Sequence, residues 1–442
     1  MVRKVTRGST SGPSSPAPSP VNGVLLEARA QRLFLAQGSF AERGLIPAAT
    51  EDRRMLATDI DVLVSEYVSG FHLTRRHIEC KSGKFSLLDR IIWLCGVRTM
   101  LRADSSYLVA ADVDRGAATF ARSLGVEVFS IGELESWEKS SGVDATVWPA
   151  RSDFAVFDAA KKRWNDKATA YDADEEWRWL RQGVLFVEVE GWREMLYRHL
   201  NKALRLLGEL AQRYPSLKSD SDKVMAARYL FSALLVRLAQ YLIAVCADVL
   251  PVPRTEREEY LGRRFAFGDQ DPERAASLVG GTVAWVRKAL AARDVRLPAE
   301  IDLSRLHAAP PYTREATRLV EEILSHSSEA RHLVVAIERE QFGTDADDKL
   351  TRLRAAANSG ASLAALLKGF VVRAFTVPPG LGDPVHQDFV RAYARVAAAA
   401  PTSVSIPPVP AAPAATSPPT ALQATTAPEQ LELQGPHVPV KR

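Results

Sequence analysis

Asp61, Glu79 and Lys81 are ionisable residues set in runs that otherwise read as apolar strands. Asp61 lies inside Asp59 to Tyr67 (DIDVLVSEY), where Ile60, Val62 and Val64 alternate onto one face. Glu79 and Lys81 close the run Phe71 to Lys81 (FHLTRRHIECK). Side chains two apart on a strand project to one face, so Glu79 and Lys81 share a face and Cys80, with Ile78, points the other way into a core. Asp59 and Asp61 share a face by the same rule. Ser69-Gly70 between the two runs suits a hairpin turn. Pairing the strands brings two or three carboxylates and one ammonium to one edge of a sheet.

Carboxylates held that close repel one another, and each has its pKa raised unless a cation lies between them. A hard divalent cation with oxygen ligands, Mg²⁺ or Mn²⁺, relieves the repulsion. Such an ion holds a phosphate oxygen and an attacking water and offsets charge in an in-line displacement. Lys81 is then placed to polarise the water. The same residues also admit a plainer reading, a half-buried hairpin in which Glu79 and Lys81 pair with Asp61 as a structural salt bridge. Buried ion pairs are costly and rarely kept for stability alone.

The elements around these residues follow from spacing. Val24 to Gln37 has helical periodicity and stops at Gly38. Phe40 to Pro47 is a short strand. After the hairpin, Ser86 heads a helix to about Arg102, with Asp89 three residues on as a capping-box-like start and Leu87, Leu88, Ile91, Leu94 and Cys95 as its apolar stripe. Tyr107 to Ala111 is a fully apolar strand, Ala117 to Leu124 a helix and Val126 to Phe129 a last strand. The order is helix, three strands, helix, strand, then a helix-strand extension.

Asp61 followed by Ile78-Glu79-Cys80-Lys81 resembles the D…(D/E)-x-K signature of the PD-(D/E)XK nuclease superfamily, and the element order is similar to its restriction-endonuclease-like core. The resemblance covers about residues 22–135. Family members often carry D-V-L around the aspartate and C-K-[ST]-G after the glutamate, here Asp61-Val62-Leu63 and Cys80-Lys81-Ser82-Gly83. They also often place a metal-site glutamate on the first helix, a position that Glu27 matches. Ile60 stands where the family pattern has proline, and for Asp59 two places stay open, behind the ligands or as an alternative ligand. The resemblance implies Mg²⁺ or Mn²⁺ held by Asp61, Glu79, the Cys80 carbonyl and Glu27, with Lys81 positioning the water. Lys84, Asp89 and Arg90 flank this set and read as solvated loop and helix start. Arg75-Arg76 reads as a solvated strand end, and His72 and His77 as solvated or hydrogen-bonded.

Beyond about residue 145 the texture changes. Asp153 to Ala400 is nearly all helical, including Trp192 to Arg213 and Val224 to Leu250 with Pro215 in the turn between them. The expected organisation is a tail over 1–21, an α/β domain over 22–145, an α-helical domain over 146–400 and a Pro/Ala-rich tail over 401–442. Both tails are too poor in apolar residues to order themselves. The 46% apolar composition is that of a globular protein. A net charge of +4 is too small to point to nucleic acid by itself, so any such affinity must be local. The 3 cysteines, Cys80, Cys95 and Cys246, form no C-x-x-C pair, which argues against zinc or a disulfide framework and for a reduced, cytoplasmic setting. The basic N-terminus lacks an apolar segment to make it a signal peptide, and charges interrupt Val224 to Leu250, which fits a buried helix better than a membrane span. No phosphate-binding G-x-x-x-x-G-K-[ST] loop, H-E-x-x-H or G-x-S-x-G occurs.

The expectation is a Mg²⁺-dependent endonuclease acting on DNA, of a kind used in bacterial restriction or anti-phage defence. The helical region would recognise substrate, form a homodimer or receive a partner protein. Two alternatives stay open: a nuclease for RNA or single strands in repair or a toxin-like role, and a non-catalytic adaptor working through its helices.

Overall fold

A computed structural model describes residues 20–45, 58–68, 71–111, 113–143, 174–188, 195–293, 309–343 and 347–385. Helix α1 (Pro20–Ala36) opens the described chain. It begins within the expected tail because proline is tolerated in the first turn, where its missing N–H is not needed. Gly38, at φ 86°, turns the chain out of α1 into strand β1 (Phe40–Leu45). Strands β2 (Ile60–Val68) and β3 (His72–Lys81) follow as the hairpin that their alternation predicts. Their antiparallel register runs from Val62 opposite Ile78 to Val68 opposite His72. The expected Ser69-Gly70 turn and the end of the first strand, residues 46 and 47, lie outside the described residues.

Helix α2 (Leu87–Leu101) starts on Ser86, whose hydroxyl accepts the Asp89 N–H. Strand β4 (Ser105–Ala110), helix α3 (Arg115–Ser123), strand β5 (Val126–Ser130) and helix α4 (Ile131–Ser140) come next. Asp114 caps α3, and Ser130 with Glu133 forms a capping box on α4. The five strands make one mixed sheet in the order β1-β2-β3-β4-β5. β1, β2 and β3 are antiparallel neighbours, while β3, β4 and β5 are parallel, joined by the helical crossovers that parallel pairing requires.

Helices cover both faces of this sheet. Leu26, Ala30, Leu33 and Phe34 of α1 pack with Val62, Val64, Ile78, Cys80 and Val109. On the other face, Ile91 and Leu94 of α2 meet Leu108, Ala121 and Val126, and Val97 and Leu101 meet Ile60 and Leu63. The α2 stripe thus continues toward Val97 and Leu101, while Leu88 stays 49% exposed.

The helical region comprises α5 (Glu175–Glu188), α6 (Leu196–Leu217), α7 (Ser221–Val249), α8 (Arg257–Phe267), α9 (Pro272–Ala291), α10 (Thr313–Ser325), α11 (Ser327–Ala330), α12 (Leu333–Phe342) and α13 (Thr351–Phe375). Pro215 is not in a turn but inside α6, where buried Tyr214 and Leu217 hold the last turn in place. The change from sheet to helices falls between Val143 and residue 174, and 144–173, with most of the expected boundary, lie outside the described residues. The helices share one continuous core with the α1 face of the sheet. A buried ion pair crosses between them: Arg237 of α7 meets Glu42 of β1 at 2.8 Å and donates twice to the Val187 carbonyl. By length and composition α7 and α13 could each cross a membrane; 78% of the apolar window of α7 and 44% of that of α13 are buried inside the fold. The expected tail from 401 lies outside the described residues.

Candidate active site

The ladder between β2 and β3 stops at Val62 and Ile78, and the residues just past that point form the site. With no strand partner beyond, the Cys80 N–H donates to Asp61 Oδ2 at 2.7 Å. An extended residue directs its N–H and C=O to the same side of a strand, so the Cys80 carbonyl also lies toward Asp61. Glu79 emerges on the α2 face, in register with Leu108 of β4, and is fully buried. Lys81, one alternation further, is 32% exposed at its side chain and reaches 2.5 Å from Glu79 Oε1 and 3.8 Å from Asp61 Oδ2. The three residues singled out by their types therefore stand together.

Glu27, on α1, feels the charges of Asp61 and Lys81. Burial, then the Asp61 carboxylate, push its pKa from 4.5 to about 7; Asp59 adds to the rise, while Arg43 and Lys81 oppose it. These influences tie the middle of α1 to the end of the hairpin, and the nearby Ser82 hydroxyl lies 3.7 Å from where a Cβ on Gly23 would stand. Asp59 itself is exposed. Burial also raises the Asp61 pKa, against the Cys80 N–H and Lys81, which favour its charged form. Cys80, buried on the far side, has its thiol pushed well up by burial and by Asp61, which favours the protonated thiol.

Two residues prove closer to the site than their sequence context suggested. Arg90, read as a solvated helix start, donates to Glu79 Oε1 and lies 3.6 Å above the Trp93 ring. The helical stripe Leu94, Val97, Leu101, extended back by four residues, lands on Arg90, which is the signal that could have found it. His77, read as solvated or hydrogen-bonded, is fully buried on the Glu79 face with both ring nitrogens unpartnered. Its Nε2 stands 3.9 Å from Glu79 Oε2, an oxygen that also has no hydrogen-bond partner. Burial, then Arg90 and Lys81, push the His77 pKa down to about 4, so the ring is neutral at pH 7. Arg75 and Arg76 are not a solvated end either: Arg76 pairs with Glu66 at 2.6 Å and Arg75 donates to the Leu101 carbonyl. Lys84 and Asp89 are exposed, as read.

Among the described residues no three His, Cys, Asp or Glu side chains stand close enough to form a ready metal cage. The donor set is nonetheless one of hard oxygens. It offers a buried, unpartnered Glu79 Oε2, two carboxyls held above their ordinary range and a carbonyl beyond the end of a ladder. Such oxygens fit Mg²⁺ or Mn²⁺ better than a soft metal. No family model, no curated protein and no solved structure matches this chain.

Proposed function

We propose that this protein is a metal-dependent nuclease of the PD-(D/E)XK kind, hydrolysing phosphodiester bonds of DNA. The observation that carries the reading is the meeting of Asp61, Glu79 and Lys81 where β2 and β3 stop pairing, with Glu27 of α1 within electrostatic reach of Asp61 and Lys81. The order helix, three strands, helix, strand around that point agrees with a restriction-endonuclease-like core.

Asp61, Glu79, Glu27 and the Cys80 carbonyl would hold Mg²⁺ or Mn²⁺, which when bound polarises the phosphate and lowers the pKa of water. Lys81, already between Glu79 and Asp61, orients the attacking water and offsets the charge that builds on the phosphate oxygens. Water adds to phosphorus, the ester P–O bond breaks, and the departing oxygen takes up a proton to leave a hydroxyl and a phosphate monoester. The Asp61 hydrogen bond to Cys80 N–H fixes the carboxylate against the strand end, so the set is oriented before substrate arrives.

A second reading draws on the 2.5 Å contact between Lys81 and Glu79, taking the cluster as a structural salt bridge. The experiment that separates the two is cleavage of plasmid, linear and single-stranded DNA and of RNA with Mg²⁺ or Mn²⁺, beside EDTA. The nuclease reading predicts metal-dependent cutting of DNA that EDTA abolishes. Cutting of RNA alone would move the substrate class, and no cutting of any substrate would favour the salt-bridge reading.

A further inference from the structure

Resting on the nuclease reading, we propose that Arg90 is a further catalytic residue, whose guanidinium binds the non-bridging oxygens of the scissile phosphodiester. Arg90 stands in the first turn of α2 with its side chain 26% exposed, between buried Glu79 and solvent. Its guanidinium lies 3.6 Å over the Trp93 ring, a stack that holds a planar cation in place without using any of its N–H groups. Nη2 donates to Glu79 Oε1, and the adjacent Nε–H is buried without a hydrogen-bond partner. A guanidinium carries five N–H donors, so one contact to Glu79 does not exhaust its capacity to bind phosphate oxygens.

Lys81 Nζ takes the same Glu79 oxygen at 2.5 Å, so two cations share one acceptor. A divalent ion drawing on Glu79 makes one of them redundant. Lys81 lies also 3.8 Å from Asp61 and keeps a carboxylate there. Arg90 keeps Trp93 behind it, and its partly exposed side chain stands beside the metal-binding oxygens. A phosphodiester carries one negative charge, and the addition of water concentrates more on its non-bridging oxygens. Arginine stays protonated throughout, so it offsets this charge without taking part in the proton transfers.

The test uses the full chain as wild type, Arg90→Ala and Arg90→Lys. Mn²⁺ affinity is measured by electron paramagnetic resonance without nucleic acid, and single-turnover cleavage on the DNA that the wild type cuts. The expected result is that Arg90→Ala binds Mn²⁺ at least as tightly as wild type yet cleaves about 100-fold more slowly or worse. Arg90→Lys should recover only part of the rate, because an ammonium offers neither fork nor stack. Wild-type cleavage by either variant overturns the proposal. So does a loss of Mn²⁺ affinity as large as the loss of rate, which would make Arg90 a support for Glu79 instead. Should Arg90→Ala fail to fold, Arg90→Lys decides by its rate. A wild-type chain that neither binds Mn²⁺ nor cuts sinks the nuclease reading itself, whereas a wild-type chain that cuts, with variants unaffected, sinks only the role of Arg90.

Discussion

Glu27 gives the site a pH signature of its own. Burial and Asp61 hold its pKa at about 7 against an ordinary 4.5, so the folded protein binds a proton there that the unfolded chain has released. The sign follows: the metal-free protein should lose stability as pH rises from about 4.5 through about 7. Urea midpoints at pH 5 and pH 8 check this, and Glu27→Gln should flatten the difference; an unchanged slope in the variant would remove Glu27 from the cluster. Sequence made Asp61, Glu79 and Lys81 legible because charges inside an alternating strand break its pattern. It did not reveal His77, since a histidine in a strand of arginines looks solvated until Trp93 of α2 is seen to lie against its ring. Nor did it assign Arg90, because the contact with Glu79 joins two elements whose relative placement is a tertiary fact.

The elements hold Glu27 in place through a second ion cluster. Arg29 and Arg32 of α1 both reach Glu138 of α4, at 2.7 Å and 2.5 Å, and Arg32 and Glu138 are buried. Glu138→Ala takes the carboxylate from between two guanidinium groups and should cost about 3 kcal/mol of stability. Chemical unfolding measures it, and a loss under about 1 kcal/mol would show the cluster to be solvated, as surface pairs are. Glu138→Gln keeps the shape and should lose less. Period-two spacing, a continuous apolar run for β4 and helical spacing gave the strands and helices from α1 to β5 to within a few residues. Pro215 misled because proline usually ends a helix, while here the packing of Tyr214 and Leu217 outweighs its missing hydrogen bond. The pairing order of the strands, with a parallel half after an antiparallel one, was beyond local patterning.

For the molecule, the reading of an α/β part followed by a helical part captures the order of elements but not their shared core. Leu26, Val62 and Ile78 belong to the same apolar cluster as Leu200, Leu234 and Val335, and Arg237 ties α7 to β1 through Glu42. A fragment ending at residue 145 should therefore expose the α1 face and fail to unfold cooperatively, which circular dichroism melts would show; a sharp transition in that fragment would contradict it. The full chain should unfold its sheet and helices together, since removing Arg237 leaves Glu42 buried and deprived of that cation.

The most direct test of the central claim is single-turnover DNA cleavage by wild-type protein and by Lys81→Ala, with Mn²⁺ and with EDTA, alongside their melting curves. The account predicts metal-dependent cutting by the wild type, a loss of about 100-fold or more in the variant, and closely similar melting of the two. A variant that melts far lower while the wild type cuts nothing would make Lys81 a structural ion partner and contradict the nuclease.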